Sequence, residues 1–151
     1  MKAEEKITAG AQPFLEDGED VLAAFVARPR GWTQTNAGAM HLGIHQQSKS
    51  RDGAADAGFE LASPMALAVT QRRLLSLELG AAKTGVGAGD VKRLVSAAPL
   101  SEVDAIKVKR LLIGRVVTVT VRGHEFKLET GAGANVSGLS EAFERERATV
   151  A

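Results

Sequence analysis

His41 and His45 stand four residues apart, a spacing that brings two imidazoles to one side of a helix, as metal sites require. Such a site also needs a third ligand and a hydrogen-bonded surround. The chain has no cysteine, the nearest acid after the pair is Asp52, and the order is His-Leu-Gly-Ile-His rather than His-Glu-x-x-His. Gly43 between them makes a poor rigid platform. Surface histidines are the expectation, with no metal and no cofactor. A metal-binding or enzymatic protein built on His41 and His45 ranks third among the readings.

Other chemistry fares no better. Gly85-Val86-Gly87-Ala88-Gly89 continues as Asp90-Val91-Lys92 and not as the Gly-Lys-Ser/Thr of a phosphate loop, and a strand-like run follows it. Ser63, Ser76 and Ser101 lie in no nucleophile elbow, and the histidines have no patterned acid beside them. No enzyme is expected.

The strongest constellation is basic. Lys107, Lys109, Arg110, Arg115, Arg122 and Lys127 face a single acid, Glu125, between residues 105 and 127. Lysine and arginine supply the charge-assisted hydrogen bonds that an anion needs. Outward lysines on strands also keep an edge soluble. A second cluster, Arg28, Arg30 and Trp32, could anchor a partner or a membrane interface, or Trp32 could cover one end of the core. Aromatics make up 4% of the chain, with no tyrosine, so stacking platforms are scarce and nucleic acid is not an expected partner.

These residues must be positioned by a chain of 151 residues, one domain by size. Its 19 Lys+Arg balance 18 Asp+Glu to a formal charge of +1, and 44% hydrophobic residues suffice for a core. The charge is polarised, with Glu4, Glu5, Glu16, Asp17, Glu19 and Asp20 in the first twenty residues. Lacking cysteine, the chain has no disulfide scaffold. No apolar run approaches the length of a membrane span, and no apolar signal region follows Met1. A soluble, cytoplasmic chain is expected, membrane-peripheral if it binds lipid.

The clearest strands lie late. Arg115–Arg122 alternates, with Val117, Val119 and Val121 on one face, and Glu125–Glu129 alternates again with Phe126 and Leu128 inward and Glu125, Lys127 and Glu129 outward. Gly123-His124 between them predicts a hairpin. A second hairpin is predicted from Ala66–Thr70 into Arg73–Leu79, with Leu75, Leu77 and Leu79 on one face and Ser76 and Glu78 pointing away. Val21–Arg28, Val91–Ser96 and Val103–Leu111 are weaker strands, the last with Ile106 and Val108 inward. About seven strands suit a barrel or sandwich. Val136, Leu139, Ala142 and Phe143 then recur at helical spacing, with Asn135 or Ser137 as cap, so a terminal helix should plug the barrel with Leu139 and Phe143. Residues 33–63 interrupt the strands as a Gly/Ala-rich insertion. There Ala37, Met40 and Ile44 have the spacing of a short helix.

Seven strands closed by a helix is the order of a pleckstrin-homology-like (PH-like) domain. Thr70-Gln71-Arg72-Arg73-Leu74-Leu75 resembles the Thr-x-x-Arg-Leu-Leu hairpin of bacterial PH-like and GRAM-like domains, and Pro99-Leu100-Ser101-Glu102-Val103 resembles their Pro-Leu-x-x-Val approach to the next strand. The chain is similar to small proteins of high-GC bacteria. The resemblance implies a mainly β domain over residues 14–148, after an acidic segment at 1–13. By analogy it implies a non-catalytic interaction or scaffold module that binds a protein partner or assembles with itself. Peripheral binding of anionic lipid headgroups through the basic strands is the alternative.

Overall fold

A computed structural model of the chain describes residues 3–31, 40–62, 64–81, 88–112, 114–131 and 133–150. Helix α1 (Ala3–Ala11) leads through a short 3-10 turn to strand β1 (Val21–Pro29), and helix α2 (Met40–Asp56) follows. Strands β2 (Met65–Thr70), β3 (Arg73–Ala81), β4 (Ala88–Pro99), β5 (Val103–Arg110), β6 (Arg115–Val121) and β7 (His124–Thr130) then precede helix α3 (Val136–Val150). The strands form one antiparallel sheet in the order β4-β3-β2-β1-β7-β6-β5.

Two halves of this sheet meet only where β1 touches β7, through Arg28 opposite Glu129 and Pro29 opposite Leu128. Away from that crossing the halves splay and enclose the main core. Phe25, Leu67 and Val69 line it from one half, and Val117, Val119, Phe126 and Leu128 from the other. Helix α3 fills the open end with Val136, Leu139, Ala142 and Phe143, the residues its spacing predicts. Asn135 caps it, its Oδ1 accepting the Gly138 N–H at 3.1 Å.

Helix α1 builds a second, smaller core on the outer face of β1–β4. Ile7 and Ala11 pack there against Ala24, Ala66, Ala68, Leu75, Leu77 and Leu79. The predicted sharing of one face of β3 by Leu75, Leu77 and Leu79 holds, and that face is the one under α1. Leu75, Leu77 and Leu79 point to α1, while Leu74 points to the main core and Ser76 is buried. Both faces of that strand are covered, so its leucines do not alternate with solvent. The alanines of β1 and β2 leave room for the helix.

Helix α2 also differs from its predicted form. It is longer, and Ile44 of the expected apolar face is exposed, as is Leu42. Its buried positions are small: Gly43, Ser50 and Ala54, with Ala57 just beyond its end. A Cβ on Gly53 would collide with the Glu125 carbonyl oxygen of β7, and one on Gly31 (φ +109°) with the α2 backbone. Small residues thus let α2 lie directly on the splayed part of β7. Phe59 follows and stacks on Phe126, ring centroids 5.4 Å apart.

Truncating the plug should leave a cavity that the splayed sheet cannot collapse. Phe143→Ala is expected to lower unfolding free energy by about 3–5 kcal/mol, measured by denaturant titration, with the strand signal retained at zero denaturant.

Candidate functional site

The predicted basic residues separate into three groups. Lys107 lies opposite Thr118, which lies opposite Lys127, so both lysines share one row on the outer face of β5–β7, about 10 Å apart by strand spacing. Lys109 stands on the same face, opposite Val116. Lys107, Lys109 and Lys127 are exposed. Arg110 and Arg115 pair across the turn end of the β5–β6 hairpin.

Arg122 stands apart from both. The β6–β7 turn is Arg122-Gly123, one residue earlier than Gly123-His124, and both residues have positive φ, 50° and 80°. That is the backbone of a primed hairpin turn. From it the Arg122 guanidinium bonds the Glu102 carboxylate and donates to the Ala57 carbonyl at 2.6 Å. It clamps the end of α2 to the turn before β5 and adds nothing to the basic face.

Glu129 is also not where alternation puts it. It is 7% exposed, at the β1–β7 crossing. Its Oε1 accepts the Gly31 N–H at 2.6 Å and its Oε2 pairs with Arg30 at 3.2 Å. Arg28 is partly buried, and burial pushes its guanidinium below the ordinary value. Trp32 lies outside the described residues. So does the side chain of His41; His45 is exposed on α2. Among the described residues no group of three or more His, Asp or Glu could hold a metal. No helix among them is long and apolar enough to cross a membrane.

The Thr70–Arg73 motif turns out to be a clamp on the acidic segment before β1. Arg73 meets Glu19 with two bonds, Nη2 to Oε1 at 2.6 Å and Nε to Oε2 at 2.9 Å. Thr70 Oγ1 donates to Glu19 at 2.6 Å and accepts the N–H groups of Arg72 and Arg73 across the turn. Gln71 Oε1 accepts the Asp20 N–H, and Arg72 donates to the Asp17 carbonyl. Glu19 is 4% exposed, so the acidic head is partly internal.

Two cavities border the crossing. One, of about 670 Å³, lies where β1 and β7 splay beside α1, lined by Glu4, Ala24, Phe25, Val26, Thr130 and Asn135. Its polar groups are occupied. Glu4 accepts from the Ala24 N–H and from Asn135, and Thr130 donates to the Val26 carbonyl. The other, of about 260 Å³, lies between α2 and β7 and brings Arg30, Gln46, Lys49 and Ser50 together with Glu125 and Lys127. Of these, only Arg30 and Lys127 belong to the basic clusters legible in the sequence. Lys49 and Gln46 stand in a polar run that carries no sign of where it docks.

No protein-family model and no curated protein matches the chain. Its structure is similar to that of a DUF1696 family protein with a pleckstrin-homology domain from Shewanella loihica PV-4. The TM-score is 0.52 at 12% identity, over 97% of this chain and 94% of that one. The fold is PH-like. A pleckstrin homology domain from Shewanella amazonensis SB2B aligns with a TM-score of 0.48 at 15% identity, over 95% of this chain and 96% of that one. In this PH-like chain the Thr-x-x-Arg-Leu-Leu turn has a structural task, holding the segment that leads into β1.

Arg73 and Thr70 hold the Glu19 carboxyl down at about 2, from 4.5. A depressed acid contributes stability that is complete above its unfolded value and is lost as pH falls from 4.5 through 2. The shift corresponds to about 3 kcal/mol. Urea midpoints should therefore fall steeply across that window. Glu19→Gln should remove much of the slope and destabilise the protein at pH 7, since the half-buried Arg73 loses its closest carboxylate and keeps only the longer contact to Glu16.

Proposed function

We propose that the chain is a non-catalytic interaction module that takes a protein partner, or a second copy of itself, along the free edge of β5. The observation that carries this reading is the edge itself. Among the described residues, strand β5 is outermost in the sheet and pairs only with β6. The Leu111 N–H donates to the Gly114 carbonyl, so by alternation the backbone groups of Ile106, Val108 and Arg110 face away from β6. Arg147 of α3 takes the Asp104 carbonyl at the start of that edge. Val108 is 40% exposed, unlike Val117 opposite it, and Leu112 beyond the strand is fully exposed.

An extended segment adding here would gain main-chain hydrogen bonds and cover Val108. Lys107, Lys109 and Arg110 flank the edge, so an acidic segment fits better than a neutral or basic one. Self-association should give a mass in solution that is a multiple of 15.8 kDa. Val108→Pro removes an outward N–H without a ladder bond to β6 and is expected to leave the fold intact while returning the mass to 15.8 kDa. A wild-type chain that remains a monomer at high concentration, with Val108→Pro indistinguishable from it, removes the self-association reading.

A second reading is supported by the shared row of Lys107 and Lys127. Peripheral binding to anionic lipid would use Lys107, Lys109, Arg110 and Arg115, with Trp32 as interfacial anchor. Each basic residue near an anionic surface adds about 1 kcal/mol. In flotation with anionic vesicles, Lys107→Glu/Lys109→Glu should then lose roughly tenfold or more in partition, and recovery should fall with salt. Unchanged partition in the double variant discards this face.

A further inference from the structure

We propose that the 260 Å³ cavity between α2 and β7 is a binding site for a small phosphate-type dianion. Three cations from three separate elements converge on it: Arg30 from the end of β1, Lys49 from α2 and Lys127 from β7. Lining residues Gln46, Lys49 and Ser50 are spaced to share one face of α2, and Gly53 brings that face onto the β7 backbone. The Arg30 N–H donates to the Lys127 carbonyl at 3.0 Å, which fixes the two cationic residues side by side. Glu129 pairs with one Arg30 nitrogen, leaving other guanidinium donors for a ligand. Glu125 is the one acid in the lining and sets a limit on how far an anion can extend along β7.

A phosphate seated there accepts charge-assisted hydrogen bonds from Lys49, Lys127 and Arg30 together. The volume sits just below the range of about 300–1,000 Å³ typical of small-molecule pockets, so it suits a phosphorylated fragment rather than a whole nucleotide. The site is separate from the β5 edge, and of the lipid-binding face it shares no residue that the Lys107/Lys109 variant alters.

The test is a titration of the full chain with inorganic phosphate, followed by amide chemical shifts. Saturable one-to-one binding is expected, with the largest changes at Arg30, Gln46, Lys49 and Lys127. Lys49→Glu/Lys127→Glu should weaken it by about tenfold or more, since each charge-assisted bond contributes in that range. Lys107→Glu/Lys109→Glu should leave it within about twofold, a thermal melt verifying that both variants fold. Flotation with phosphatidic acid vesicles then separates the sources. Recovery that Lys49→Glu/Lys127→Glu abolishes assigns a lipid headgroup, and phosphate binding without recovery assigns a soluble phosphorylated compound. No saturable phosphate shift, or equal affinity in Lys49→Glu/Lys127→Glu, overturns the site.

Discussion

The brevity of the β1–β7 contact governs this molecule. Strand β1 closes at Pro29, the Arg30 N–H still reaches the Lys127 carbonyl of β7, and Gly31 then turns the chain away at a φ that other residues avoid. Only the end of β1 thus meets β7, and Glu129 secures the junction by accepting from Gly31 and pairing with Arg30. A buried carboxylate is costly unless its charge is answered, so Glu129 and Arg30 depend on one another. Because the halves touch at one point, both wedges beside it need other cover. Helix α2 fills one, with Ala54, Ala57 and Phe59 reaching the main core. Glu4, Thr130 and Asn135 line the other: the side chains of Glu4 and Thr130 bond the backbone of β1, and Asn135 donates to Glu4. The two cavities are what remains of those wedges.

Local pattern carries information only while one face of an element is wet. The β6–β7 hairpin and α3 meet that condition on most of their length, and the residues they send into the main core could be named from spacing alone. Strand β3 does not, because α1 lies on its outer side, and a leucine row that looks like an inner face is the outer one. Helix α2 fails differently. It buries glycine, serine and alanine and exposes Leu42 and Ile44, so hydrophobicity points to the wrong side. Close approach to the β7 backbone selects small residues there, and nothing local to residues 40–56 announces β7. Glu129 and Arg122 were misplaced for a related reason. One is held by a strand about a hundred positions away in the chain, the other sits in a turn one residue off its expected frame. Thus the strand order and the plug were legible, and the lysine row on β5 and β7 with them. The α2 half of the candidate pocket was not, because its partners are set by tertiary contact.

The near-neutral composition conceals an asymmetry of use. Acids before β1 are spent on the Thr70–Arg73 turn, where Glu19 loses its exposure, Glu16 meets Arg72 and Arg73, and Asp20 bonds Gln71. Glu102 is spent on Arg122 and Glu129 on Arg30. The lysines of β5 and β7 are left on an open face with Glu125 as the nearby acid. Long-range steering follows the charges that face water, so this chain presents a more basic face than its formal charge of +1 implies.

The insertion before β2 places function within that frame. A PH-like shell can close its core with seven strands and a terminal helix, yet here part of the core is supplied by α2 and Phe59. The helix is held at its C-terminal end, where Arg122 bonds the Ala57 carbonyl. Its Lys49 and Gln46 lie about two and three turns before Ala57, beside Glu125, Phe126 and Lys127 of β7. Rigid elements on three sides fix a pocket better than a loop does. The same short crossing that forces the sheet to splay thus brings a cation from each of β1, α2 and β7 to one small cavity.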